Sequence, residues 1–131
     1  MALWMDADEM IERFAREDPF DLSIEKFERV VKFPDQVLCI GGMNRLNSST
    51  CALCKTYLGK GEDRCIKCPL HKIPRGHCCT EDSFWVKVWD TAAAYRKHST
   101  DIYKSAFVSA SKEMLAALLE AKKLEEHNER Q

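Results

Sequence analysis

Cys51-Ala-Leu-Cys54 and Cys65-Ile-Lys-Cys68 form two CxxC pairs with ten residues between them. Each pair lets two sulfurs grip one ion, and the connection is long enough to close the second pair onto the first. Four thiolates would then surround zinc tetrahedrally, with Zn–S distances of about 2.3 Å. Zinc suits a reduced set of sulfur ligands and needs no redox partner. Lys55, Arg64 and Lys67 stand beside these cysteines, where they would offset the net negative charge of a zinc tetrathiolate.

Further donors follow closely. His71, His77, Cys78 or Cys79 could each replace one of the first four ligands, and together they could furnish part of a second site. Adjacent side chains point in different directions, so Cys78 and Cys79 are not expected on one ion, and at least one of them should serve packing. Cys39 lies in the apolar run Val37-Leu-Cys-Ile40 and is expected as a core thiol. Three other chemistries fit the same cysteines. A redox pair normally opens a helix that follows a strand, and strand signals here are weak. Inert buried thiols and an iron–sulfur cluster are the others.

Signatures of common enzymes are missing: the sequence contains no HExxH, no Walker-type glycine loop, no GxSxG and no GxGxxG. A zinc deaminase needs H-x-E ahead of P-C-x-x-C, and the order here is wrong. Four thiolates also leave zinc no open position for a substrate. A non-catalytic role is therefore expected. Asp6, Asp8, Glu9 and Glu12 cluster at a helix start, where favourable interaction with the helix dipole accounts for them. Trp85, Trp89 and Tyr95 are expected in the core, in preference to a base-stacking platform.

These donors need a scaffold, and the sequence supplies helices to make one. Asp6 or Asp8 caps a short helix through Met10, Ile11 and Phe14, ending before Asp18-Pro19. Ser23 caps a second, with Ile24, Phe27, Val30 and Val31 along one face, and Pro34 stops it. Residues 33–50 are rich in helix breakers and read as a loop whose apolar piece folds back on the core. Ser49 or Thr50 can cap a helix through Leu58, closed by Gly59, which would put Cys51 and Cys54 on one helical face. Residues 59–80 show no convincing period and need something other than a packed helix to hold them. A further helix starts at Asp82 or Ser83 and runs through Phe84, Trp85, Val88, Trp89, Ala92 and Tyr95. Ser99 or Thr100 caps a long last one. It carries Tyr103, Phe107, Ala110, Met114, Ala117, Leu118 and Ala121 in a stripe and should fray near residues 125–131. Either the earlier helices cover that stripe, or a partly open stripe serves self-association as a homodimer, or a partner.

The resulting expectation is a mainly α protein: one domain, residues 1–131, of four or five helices with an irregular cysteine-rich zinc-binding segment. Residues 1–50 supply the N-terminal helices and connection, 51–80 the metal-binding segment and 81–131 the C-terminal helices. With 131 residues, 45% hydrophobic and 31% charged, the chain can bury a modest core that a metal crosslink would help. No apolar run approaches the roughly 20 residues of a membrane span. The N-terminus lacks the basic and apolar regions of a secretory signal, so a cytosolic location is expected. In a reducing compartment seven cysteines read as metal ligands or free thiols in preference to disulfides.

Charge is uneven along the chain. Residues 1–42 carry 5 basic and 10 acidic side chains, residues 43–98 carry 10 and 5, and residues 99–131 carry 5 and 6. A positive centre that includes Lys55, Lys60, Arg64, Lys67, Lys72 and Arg75 leaves nucleic-acid binding open, although charges that only solvate a surface would look the same.

The order Cys51-Ala-Leu-Cys54, Cys65-x-x-Cys68-Pro69-Leu70, Gly76-x-x-Cys79, then Ser83-Phe84-Trp85, resembles small cysteine-rich uncharacterised proteins of bacteriophages and prophages. In that group a helix with a Lys-aromatic pair, here Lys26-Phe27, precedes the first cysteine pair. The resemblance covers roughly residues 23–90. It departs from the pattern in the long spacer between the pairs and in His77-Cys78. It implies a phage or mobile-element origin, hence the bacterial host cytoplasm, and Cys79 as a fifth candidate ligand, but no activity. The expected role is a zinc-stabilised module binding a host protein or host defence complex. The alternative is a zinc-containing nucleic-acid binder.

Overall fold

In the computed structural model, residues 4–5, 7–39 and 83–129 are described. Four α-helices and one 3-10 turn make up their regular structure, in the order α1 (Ala7–Phe14), α2 (Pro19–Lys32), the 3-10 turn (Pro34–Leu38), α3 (Phe84–Lys97) and α4 (Asp101–Glu129). Among the described residues there is no strand. The mainly helical expectation holds. The helix expected over residues 49–58 and the irregular stretch at 59–80 lie outside the described residues.

Helix α1 closes at Phe14 with a turn in which the Arg13 carbonyl accepts from the amides of Arg16 and Glu17. Met10 faces inward, whereas Ile11 is exposed. Helix α2 starts earlier than Ser23: Asp18 is its N-cap, accepting from the amides of Phe20 and Asp21, and Pro19 occupies the first turn. Proline lacks only an N–H that would have no helical partner there, and its φ is already helical. Ser23 thus sits inside the helix, buried, with its hydroxyl lacking a hydrogen-bond partner. The helix stops at Phe33, whose amide donates to Arg29, and Pro34 opens the 3-10 turn.

That turn carries out the folding-back expected of the apolar piece. Val37 is completely buried, but Leu38 and Cys39 point outward. The expectation of Cys39 as a core thiol is therefore corrected: it is a free, exposed thiol, because the tight turn spends its one inward position on Val37.

Helix α3 begins where expected. Ser83 is its buried N-cap, with Oγ accepting from the Val86 amide at 3.1 Å. Helix α4 spans the frame and packs against α3 and α2. Phe107, Ala110, Met114, Ala117, Leu118 and Ala121 are all buried, whereas Tyr103, expected in the same stripe, is exposed at the helix start. The open-stripe reading of α4 is thereby overturned: Phe107 is 0%, Met114 3% and Leu118 1% exposed, in one cluster with Trp4, Phe20, Phe27, Val30, Val37, Val88, Ala92 and Tyr95. Each large side chain so buried contributes about 1.5–3 kcal/mol. The covering comes in part from a residue the helical pattern did not include. Trp4 packs its ring 6.2 Å from Phe107 and donates its indole N–H to the Phe33 carbonyl at 2.8 Å.

A second, small cluster of Met5, Met10, Leu22 and Phe14 joins α1 to α2. Above it lies an ionic clasp. Arg13 pairs with Glu9, Glu17 and Glu25, and Arg29 pairs with Glu9 and Glu25. Glu9, expected to serve the helix dipole, instead links the two helices by accepting both Arg29 terminal nitrogens at 2.9 and 2.7 Å.

Candidate metal centre

All eight candidate donors, Cys51, Cys54, Cys65, Cys68, His71, His77, Cys78 and Cys79, lie outside the described residues, as do the basic residues between Lys55 and Arg75. Among the described residues no group of three or more His, Cys, Asp or Glu side chains could hold a metal ion. What the structure describes is the frame that holds both ends of the cysteine-bearing stretch.

The outgoing end is held by α3 and α4. Arg96, in the last turn of α3, donates to the carbonyl of Val37 and, at 3.0 Å, to that of Cys39. Both bonds come from one terminal nitrogen of the guanidinium, whose two N–H donors can reach two carbonyls two residues apart. One residue earlier in α3, the Tyr95 hydroxyl donates to Asp35, and Lys104 of α4 reaches the same carboxylate at 3.2 Å. The Tyr95 hydrogen bond, followed by Lys104, holds the Asp35 carboxyl below its usual range. In return Asp35 pushes the Tyr95 phenol up to about 12. Both shifts have one cause: the phenol keeps its proton because it donates it to a carboxylate.

The returning end is Ser83, which is completely buried while capping α3. The stretch thus departs beside the last turn of α3 and comes back at that helix's N-cap. Thirteen residues of helix separate the two points, about 20 Å at 1.5 Å per residue.

Between them α3 carries Trp85 and Trp89, stacked at 5.7 Å with ring planes 17° apart. Both are half-buried and pack on the core, whereas Tyr95 is fully within it. The Lys26–Phe27 pair of the phage-like pattern is buried on α2. Its ammonium lies 5.4 Å from the centroid of the Phe27 ring, within cation–π range.

No family model, no curated protein and no solved structure matches this chain. Among the described residues, no helix is long and apolar enough to cross a membrane.

The anchoring residues Asp35, Arg96 and Lys104 had no signal in the sequence, since each acts across about 60 residues or more of chain. The ionic clasp left a partial one. Glu9–Arg13, Arg13–Glu17 and Glu25–Arg29 are i, i+4 pairs that a helical reading could have marked, but the bonds that cross between α1 and α2 leave none.

Proposed function

We propose that this chain is a non-catalytic, zinc-stabilised protein-interaction module of phage or prophage origin, which binds a host protein or host defence complex. Cys51, Cys54, Cys65 and Cys68 hold the zinc, with Cys79, Cys78, His71 and His77 as alternative donors. The observation that supports this most is the setting of the cysteine stretch. Two CxxC pairs occupy a segment that leaves and rejoins a helical frame at two hydrogen-bonded anchors, Arg96 and Ser83. The frame has a core of its own, so the metal is needed to order the segment that displays a surface, not to assemble the helices. The phage origin and the host partner rest on the Cys51–Trp85 pattern.

The test is affinity capture from bacterial lysate with the zinc-loaded chain, compared with the chain carrying Cys54→Ser and Cys68→Ser. A protein retained by the first and released by the second is expected. Repeated capture that returns no protein would overturn the reading.

A second reading, nucleic-acid binding, draws on the excess of 10 basic over 5 acidic side chains in residues 43–98. Its mark would be affinity that falls steeply with salt. No gel shift at low salt with duplex or single-stranded DNA or RNA removes it.

A further inference from the structure

Trp4 belongs to no helix, yet its side chain is 1% exposed within the main core. Its neighbour Met5 belongs instead to the small cluster between α1 and α2. Among the described residues before α2, Trp4 alone enters the main core. One side chain thus fastens this stretch of chain to the body of the frame.

The groups that receive the indole are held by bonds of their own. Phe33 is the C-cap of α2; its amide donates to the Arg29 carbonyl at 2.8 Å, and its carbonyl accepts from the Gln36 amide at 3.1 Å as the 3-10 turn opens. A carbonyl oxygen has two lone pairs, and the second takes the Trp4 indole N–H at 2.8 Å. The Phe107 ring, 6.2 Å from the Trp4 ring, is carried by α4 and also lies 6.4 Å from Tyr95. Neither the acceptor nor the aromatic wall depends on Trp4 for its position. A packed core relaxes only partially when a large side chain is removed, so loss of the indole leaves a place of matching shape with one acceptor aimed into it.

We propose that this place, between the end of α2 and Phe107 of α4, is an indole-binding site that the chain fills with its own Trp4. The N-terminal segment is then a tethered plug. The ligand class is a flat bicyclic aromatic with one ring N–H, which includes the tryptophan side chain of another chain. Tethering gives Trp4 a high effective concentration, so an outside group enters the site by displacing the plug. The inference does not rest on the zinc reading.

The test uses the full chain carrying Trp4→Gly, with free indole as the probe. Circular dichroism without ligand records how much helix the variant keeps. Calorimetric melting follows its stability as indole is added, and titration calorimetry gives the affinity. Indole is expected to bind with a Kd on the order of millimolar and to raise the melting temperature of the variant saturably, as a ligand selective for the folded state does. The native chain, whose site is filled, should not respond at the same concentrations. 1-Methylindole carries a methyl group in place of the donated proton and should bind about tenfold more weakly, because the bond to the Phe33 carbonyl is lost. A variant that is unfolded alone is read in the same way, by recovery of a melting transition at saturating indole. Absence of rescue, equal rescue by 1-methylindole, or an equal response of the native chain each overturns the site.

Discussion

Phe107→Ala should be the most damaging single truncation in α4. The ring is 0% exposed and lies between Trp4 at 6.2 Å and Tyr95 at 6.4 Å, so one side chain joins the N-terminal segment, α3 and α4. Burying a phenylalanine contributes about 1.5–3 kcal/mol by transfer alone. The cavity left by truncation raises the cost to about 3–5 kcal/mol, which includes the two tilted ring contacts at roughly 0.5–1.5 kcal/mol each. That is a large part of the roughly 5–15 kcal/mol by which a domain is stable. Phe107→Leu keeps most of the apolar volume and should cost about 1–1.5 kcal/mol. Urea denaturation followed by circular dichroism, with zinc saturating throughout, measures both. A loss below about 1 kcal/mol for the alanine variant would refute the placement of Phe107 in the core. A solution mass that halves on Phe107→Asp while the chain stays folded would restore α4 as a self-association surface.

Acid should loosen the clasp between α1 and α2. Arg29 above all lowers the Glu9 pKa and Arg13 lowers that of Glu25, so their contribution is complete above the ordinary carboxylate pKa and is lost as pH falls through the depressed values. Arg13→Met should flatten the acid limb of the stability curve and cost roughly 1 kcal/mol at neutral pH, given partial exposure. Tyr95→Phe should cost about 1 kcal/mol. In the native chain the raised Tyr95 pKa gives stability that is full below the unfolded value of about 10 and is lost as pH rises toward about 12, visible as one late-ionising phenol in an ultraviolet titration. Ser83→Ala removes the α3 N-cap and should cost about 1–2 kcal/mol in thermal unfolding.

Helices α3 and α4 were legible because both signals they depend on are local. Ser83 can cap only the residues just after it, and the stripe from Phe107 to Ala121 repeats at the helical period. The true start of α2 at Asp18 is hidden in the sequence because Asp18-Pro19 also reads as the end of α1. The same dipeptide is an N-cap followed by a first-turn proline, and the two meanings share one spelling. The exposure of Cys39 is not legible in the sequence, because an apolar run of four does not say which residue a 3-10 turn will send inward. The fate of the α4 stripe hung on Trp4, whose position depends on an indole bond to Phe33 across 29 residues. The candidate donors, by contrast, are legible as donors through type and spacing alone, and their arrangement in space lies outside the described residues.

The most direct test of a zinc-centred module is metal content and melting measured together on three chains: native, Cys54→Ser and Cys68→Ser. One zinc per native chain is expected, with loss of the metal and of cooperative unfolding of the cysteine segment in each variant, because structural zinc binding is part of the folding free energy. Unchanged metal content and unchanged melting in both variants would contradict the assignment of Cys51, Cys54, Cys65 and Cys68 as the ligands.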